Sequence, residues 1–219
     1  MRKCISFIVH LVLVLGFSAA HAGSYDDFFV AIKRDDGQAI TELLKRGFDP
    51  NTIDPSGRAG LFIAVQDGSA RAAEALIASP RTKVEWRSAK DESPLMIAAL
   101  KGETEVVRKL IARDADVNKP GWAPLHYAAT GGHLEIMQIL LDEYAFIDAQ
   151  SPNKTTPLMM AARYGSTAAV KLLLEAGADP VMRNELGLSA VDFALQSQRK
   201  DAADLIAAAI RKSQPKGKW

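Results

Sequence analysis

Ala123-Pro124-Leu125-His126-Tyr127-Ala128-Ala129 is the stretch that decides the fold, because close copies of it recur at a nearly fixed spacing. The copies are residues 93–99, Ser-Pro-Leu-Met-Ile-Ala-Ala, and residues 156–162, Thr-Pro-Leu-Met-Met-Ala-Ala. Their prolines lie 30 and 33 residues apart, and a glycine follows each copy, at positions 102, 132 and 165. Self-similarity at such a period indicates a repeat architecture in which each unit is a short supersecondary motif.

Each part of this phrase has a physical role in a pair of helices. Proline suits the first helical position, and Ser93 or Thr156 just before it can cap free N–H groups. The Ala-Ala pair keeps one helical face thin, and the following glycine lets the chain turn back in a tight, left-handed conformation. A second helix then presents apolar residues at helical spacing, for example Val106, Val107, Leu110 and Ile111. No unit can bury this face alone, so neighbouring units must stack.

Weaker copies of the phrase extend the series in both directions. One begins at Gly60, one at Ser189, and the earliest contains Phe28 and Phe29. The chain is therefore predicted to contain about six units, with approximate boundaries at residues 23–53, 54–87, 88–118, 119–150, 151–183 and 184–211. Between Asn118 and Gly121 the connecting segment is three residues short, which predicts a stunted finger there.

Repeats of this kind resemble the ankyrin repeat family. The phrase at 123–129 is similar to the family signature T-P-L-H-x-A-A, and Gly177-Ala178-Asp179 matches its G-A-D ending. The resemblance covers roughly residues 25–211. It implies an all-α helical solenoid with short β-hairpin or loop fingers. The terminal units are the most degenerate, as expected for capping repeats at both ends.

Residues 1–22 have the pattern of a secretory signal peptide that is cleaved before Gly23. Arg2 and Lys3 precede an apolar run from 5 to 17, and Ala20 and Ala22 supply small residues before the cleavage site. A retained N-terminal anchor is the alternative, although the apolar run is shorter than the roughly 20 residues that span a bilayer. Export to a bacterial periplasm is expected, with secretion as the alternative. Residues 212–219 are predicted to be a basic, disordered tail.

Composition excludes several functional classes. The net charge is +1, from 27 basic and 26 acidic residues, which argues against nucleic-acid binding. Cleavage of the signal would remove the only cysteine, Cys4, and leave His126 and His133 as the only imidazoles. Both histidines occupy ankyrin signature positions, where His126 would bond the turn and His133 would open the second helix. No catalytic residue, metal site or cofactor site is predicted, and the chain contains no nucleophile-elbow, zinc-protease or phosphate-loop motif.

The resemblance implies a binding module that uses its fingers and the ends of its first helices. The partner is expected to be another protein, with no nucleic acid and no stable membrane anchor after cleavage, and the chain is expected to be a monomer. The alternatives are a secreted effector that acts on another cell, or an enzyme or ligand carrier with an unrecognised site. The predicted partner-binding residues are Arg58, Lys90, Glu92, Lys101, Trp122, Lys154, Arg163 and Tyr164.

Two of these residues are aromatic and have competing interpretations. Trp122 is either an interface anchor or a side chain that packs across the shortened finger. Tyr164 is either a second anchor or part of a solvated rim. The basic residues on this face predict a partner with an acidic patch, and scattered solvating charge is the alternative.

Overall fold

A computed structural model describes residues 23–213. The predicted signal peptide and residues 214–219 of the predicted tail lie outside this range. The chain separates into two compact units, residues 23–83 and 84–213, which are described one at a time.

The first unit contains four helices. Their bounds are 23–33 (α1), Gly37–Lys45 (α2), Gly60–Asp67 (α3) and Ala70–Ala78 (α4). Helix α4 packs against both α2 and α3. The large side chains that are fully buried in this unit are Phe28, Ile32, Ile40, Leu61, Phe62 and Leu76.

The second unit contains eight helices in two rows. The first helices of the repeats are Pro94–Lys101 (α5), Pro124–Gly131 (α7), Pro157–Arg163 (α9) and Ala190–Gln196 (α11). The second helices are Thr104–Ile111 (α6), Leu134–Asp142 (α8), Thr167–Glu175 (α10) and Lys200–Ser213 (α12). Each first helix packs against the next first helix, each second helix against the next second helix, and each pair against itself. The predicted all-α stack of two-helix modules is confirmed.

The starts of the first helices follow the predicted chemistry. Proline occupies the first turn of α5, α7 and α9. The Ser93 hydroxyl accepts from the Met96 N–H at 3.2 Å, and the Thr156 hydroxyl accepts from the Met159 N–H at 3.4 Å. Capping of this kind is worth about 1 kcal/mol for each helix.

The glycines that end the first helices fall into two classes. Gly102 and Gly132 take the predicted left-handed conformation, with φ of 79° and 69°. The prediction of a left-handed turn is wrong for Gly165, which does not have a positive φ. Helix α9 ends at Arg163, and Tyr164, with φ of −121°, is its C-cap. Gly165 is required for another reason: a Cβ atom there would lie 2.3 Å from the carbonyl oxygen of Ala129, so the glycine permits close approach of two repeats.

The core of the second unit is built from the predicted positions. The Ala-Ala pairs of α5, α7 and α9 have no exposed area, so neighbouring first helices approach closely. In the second helices, Val107, Leu110, Leu140 and Leu173 are fully buried. Ile111, which was predicted to face the core, is only half-buried.

Polar side chains link the loop of one repeat to the loop of the next. The Glu85 carboxylate accepts from the Asp116 N–H at 2.7 Å, and the Asp148 carboxylate accepts from the Asp179 N–H at 3.1 Å. Burial raises the pKa of both carboxyl groups. Asn118 makes two such bonds, because its amide donates to the Tyr144 carbonyl at 2.8 Å and accepts from the Phe146 N–H at 2.7 Å.

The fingers are short turns rather than extended hairpins. In the second unit, Ser88 N–H donates to the Glu92 carbonyl at 2.9 Å and Ser151 N–H to the Thr155 carbonyl at 3.0 Å. Within residues 84–213, the segment between Asn118 and Trp122 forms no turn of this kind, which confirms the stunted finger. Lys119 instead lies only 9% exposed and pairs with Asp91.

The last helix extends beyond the predicted end of the repeat domain. Helix α12 continues through Ser213, so Lys212 and Ser213 are helical rather than part of a disordered tail. The Ser213 hydroxyl donates to the Ile210 carbonyl at 2.9 Å, and Arg211 and Lys212 place positive charge at the negative end of the helix.

Candidate functional site

A small cavity of about 250 Å³ opens on the face that the first helices and fingers of the second unit form. Its residues come from three consecutive repeats, because stacking brings the end of α5, the shortened finger, α7 and α9 together. This volume is below the roughly 300–1,000 Å³ that small-molecule sites usually offer. The lining residues are Leu100, Trp122, His126, Tyr127, Thr130 and Met160.

His126 is fully buried beneath this cavity and both of its ring nitrogens are engaged. The Ala123 N–H donates to Nδ1 at 3.1 Å, so the ring proton must be on Nε2, which donates to the Thr155 carbonyl at 3.0 Å. Burial lowers the pKa of His126 to about 4. Neither nitrogen has a lone pair left for a metal or a substrate. The predicted structural role of His126 is confirmed, as is the position of His133 at the start of α8.

Trp122 packs edge-on against His126, with ring centroids 5.2 Å apart and an interplanar angle of 73°. The tryptophan is half-buried and contributes its remaining surface to the cavity. This contact lies within one repeat, so packing of Trp122 across the shortened finger onto the neighbouring repeat stays a prediction. The role of Trp122 as an interface anchor stays a prediction.

Tyr127 connects the cavity to the predicted residue Glu92. The Tyr127 hydroxyl donates to Oε1 of Glu92 at 3.2 Å, and the Ser88 hydroxyl donates to Oε2 at 3.3 Å. Burial and the Glu92 carboxylate raise the pKa of the Tyr127 phenol. His126 and Tyr127 are thus both held in their neutral forms, and neither is placed to act as an acid or base near neutral pH.

Sequence reasoning missed Tyr127 and Met160 as candidates. Both occupy the variable position of the repeated phrase, directly before the Ala-Ala pair. That position is Ile, Tyr or Met in the three copies, while the Ala-Ala pair after it does not change, and this difference is the signal that the sequence offers.

Arg163 and Tyr164 lie on α9 and its end, outside the residues that line the cavity. The Arg163 guanidinium lies 5.2 Å from the centroid of the Tyr164 ring and 5.6 Å from that of Phe193. Tyr164 remains 56% exposed. The arginine therefore lies between an exposed ring and a buried ring, on the same helix that supplies Met160 to the cavity.

The predicted lysines are exposed on the same unit. Lys90 and Lys154 lie in fingers, and Lys101 ends α5. No carboxylate in the described part of the chain contacts the Nζ atom of Lys90 or Lys154. The neighbouring acids are engaged, since Asp91 pairs with Lys119 and Glu92 accepts from Tyr127.

Arg58 belongs to the first unit and is fixed within its own finger. Its Nε and one terminal nitrogen donate to Oδ2 of Asp54 at 2.9 and 2.7 Å, and the other terminal nitrogen donates to Gln66 at 3.0 Å. Burial alone would raise the pKa of Asp54, but hydrogen bonds from the Arg58 backbone N–H, the Arg58 side chain and the Ser56 N–H hold that pKa below its usual value. The structure thus gives Arg58 a structural partner within the first unit.

A larger groove of about 730 Å³ lies between α10 and α12. Small and aliphatic residues line much of it, including Ala178, Pro180, Leu205 and Ala208. The titratable residues that line it are exposed, so the groove lacks the buried polar groups that would orient a ligand.

Residues 23–213 offer neither a metal-binding cluster nor a membrane-spanning helix. No group of three or more histidine, aspartate or glutamate side chains within that range is arranged to hold a metal ion. None of the helices there is both long and apolar enough to cross a membrane.

Comparison with known proteins identifies the repeats. The family described as Ankyrin repeats (3 copies) matches residues 28–120 and 81–151, and Ankyrin repeats (many copies) matches residues 145–194. Among similar proteins, mouse (Mus musculus) Ankyrin repeat and SAM domain-containing protein 6 is 35% identical over 53% of the chain, and mouse Nuclear factor NF-kappa-B p105 subunit is 30% identical over 63%. Zygote-specific protein 3 of Chlamydomonas reinhardtii is 36% identical over 54%.

The chain covers only a part of these relatives, namely 13%, 15% and 33% of their respective lengths. The likeness is therefore one of repeats and not of whole proteins. The matched segments run from residue 28 to residue 194, which is well over half of the sequence, and the chain belongs to the ankyrin repeat family.

Proposed function

We propose that the chain is exported and acts as a non-catalytic module that binds a partner protein through the cavity at Trp122. Ankyrin repeats generally mediate protein–protein interaction. The observation that carries the proposal for this site is the cavity itself, in which Leu100, Trp122, Tyr127 and Met160 offer one apolar recess on the face of the first helices.

The size of the cavity favours a single bulky apolar side chain of the partner. Leu100 is 36% exposed, and Trp122 and Tyr127 are half-buried, so the recess is open to solvent before binding. Aromatic residues that are partly exposed around a recess are frequent centres of binding energy in protein interfaces. Several polar groups of the lining are already bonded: the Thr130 hydroxyl donates to the His126 carbonyl at 2.8 Å, and both His126 ring nitrogens are engaged. The recess therefore selects for apolar groups.

The charges around the cavity favour an acidic surface on the partner. Lys90, Lys101, Lys154 and Arg163 supply positive charge on the second unit. Asp91 is paired with Lys119, whereas Glu92 keeps its negative charge because its partners are neutral hydroxyl groups. Complementary charge mainly raises the rate of association and the specificity of binding. We thus expect the partner to present an apolar residue with carboxylates close by.

Export is proposed from the sequence pattern of residues 1–22. A bacterial periplasm is the proposed compartment, where the module would tether, protect or inhibit its partner. Release from the cell as an effector is the alternative, and recovery of the chain from the culture medium would favour it.

The test is to purify the tagged full-length chain from its native periplasmic fraction and to compare it with Trp122→Ala. The wild-type chain is expected to begin at Gly23 and to retain a partner protein. The variant should bind that partner at least about tenfold more weakly, as expected when an interface loses an anchor residue. Val181→Ala is the matched control, because Val181 is 54% exposed in a loop outside the cavity. Far-UV circular dichroism should be the same for all three proteins.

Equal retention of the partner by wild-type chain and Trp122→Ala would remove the cavity from the interface. Recovery of the chain with residues 1–22 still attached would contradict the proposed cleavage.

A further inference from the structure

The loop that follows α8 exposes two aromatic side chains to solvent. Tyr144 is 84% exposed and Phe146 is 65% exposed, while Ala145 between them is buried. Neither ring belongs to the cavity at Trp122, whose lining comes from α5, α7, α9 and the shortened finger.

These aromatic residues depart from the pattern of the chain's other repeats. The position of Tyr144 is taken by Gly47, Asp114 or Gly177 elsewhere, and the position of Phe146 by Asp49, Asp116 or Asp179. Tyr144 adopts a left-handed backbone conformation with φ of 60°, which glycine or aspartate tolerates better than an aromatic residue does. The left-handed backbone at Tyr144 therefore lowers the stability of the fold, and the exposed ring adds no core packing in return.

The backbone beneath the two rings is held firmly by the preceding repeat. Asn118 donates to the Tyr144 carbonyl at 2.8 Å and accepts from the Phe146 N–H at 2.7 Å. The Tyr144 N–H also donates to the Leu141 carbonyl at 3.0 Å. Because the loop is fixed at three points, the rings are presented on a preorganised backbone, which lowers the entropic cost of binding.

The loop segments next to the two rings are rich in carboxylates. The adjacent loop segments 114–116, 142–148 and 175–179 contain no lysine or arginine. Cationic side chains approach some of these carboxylates, for example Arg87 at 3.8 Å from Asp116 and Lys171 at 3.7 Å from Glu175, and Arg113 directly precedes the first segment. The carboxylates of the three segments are Asp114, Asp116, Asp142, Glu143, Asp148, Glu175 and Asp179.

We propose that Tyr144 and Phe146 form a second docking surface, which binds a basic segment of a partner protein. Arginine and lysine side chains can lie across an aromatic ring and at the same time approach the surrounding carboxylates. The same negative charge opposes attachment to an anionic membrane. This surface and the cavity share no residue.

The test uses a fluorescein-labelled, arginine-rich peptide and the double variant Tyr144→Gly, Phe146→Asp of the full chain. The variant restores the residue types that other repeats carry at these positions, and glycine relieves the left-handed backbone, so the fold is retained. It also adds a carboxylate. If the rings hold the peptide, the variant binds at least about tenfold more weakly in spite of its extra negative charge.

Binding that is unchanged or tighter in the variant would overturn the proposal, because attraction by charge alone would then explain it. Leu186→Asp is the matched control: it replaces a 78% exposed apolar residue in another loop by the same charge, and should leave peptide binding within about twofold. Self-association of the wild-type chain that disappears in the double variant would also contradict the proposal, since a second copy would then be the occupant.

Discussion

Leu140→Ala is expected to lower the free energy of unfolding by about 2–5 kcal/mol, the range found when a buried leucine leaves a cavity. Leu140 has no exposed area and lies on α8, which packs against α6, α7 and α10. The truncation therefore weakens packing within the repeat that contains α8 and packing against the repeats on either side. Urea unfolding followed by circular dichroism measures the change.

Leu134→Ala on the same helix is the matched control for this prediction. Leu134 is 38% exposed, so its truncation should cost less than about 1 kcal/mol. A loss below about 0.5 kcal/mol for Leu140→Ala would mean that α8 does not bury the face that the repeat register assigns to it.

Acidification from pH 7 to pH 5 is expected to remove about 2 kcal/mol of stability through His126 alone. The folded-state pKa of His126 is about 4, below its ordinary value of 6.5, so the unfolded chain binds the proton first. The stability contribution is complete above pH 6.5 and is lost as the pH falls from 6.5 toward 4. Protonation of Nδ1 would break its bond from the Ala123 N–H and place a charge in the core.

His126→Gln supplies the control, because it keeps a polar side chain and removes the titrating group. Between pH 7 and pH 5, the free energy of unfolding of the wild-type chain should fall by about 2 kcal/mol more than that of His126→Gln. The carboxyl groups with shifted pKa values are common to both proteins, so the difference isolates His126. The same pH dependence in both proteins would show that the imidazole is not buried in its neutral form.

Local chemistry explains why much of the fold could be predicted from the sequence. Proline and the preceding hydroxyl group at Ser93 or Thr156 set the helix starts, and the Ala-Ala pairs set the close packing of first helices. These signals are contained within a few residues and recur at one period. His126 is also predictable for this reason, because its bond to the Ala123 N–H lies within the phrase.

The errors arise where one repeat depends on its neighbour. Gly165 occupies the position of Gly132, yet Ala129 of the preceding repeat, and not a left-handed turn, requires it to be glycine. The cavity likewise joins Tyr127 and Met160 from successive repeats, and no local pattern in either repeat indicates a recess.

The charged residues of the predicted site show a second limit of prediction from the sequence. Arg58 and Glu92 occupy finger positions that suit an interface, but Asp54 binds the first and Tyr127 contacts the second. Which partner a long polar side chain selects depends on the packed structure around it. The exposed pair Tyr144 and Phe146 was visible in the sequence as a departure from Gly and Asp, and was overlooked because it lies in a loop outside the repeated phrase.

The central claim is that a side chain of the partner enters the cavity, and methionine methyl groups can report this directly by NMR. Met160 lines the cavity and is half-buried, whereas Met96 and Met137 have no exposed area. When the captured partner is added to protein labelled with ¹³C at methionine methyls, the Met160 resonance should shift and those of Met96 and Met137 should stay nearly in place. A complex in which Met160 does not shift would contradict the account.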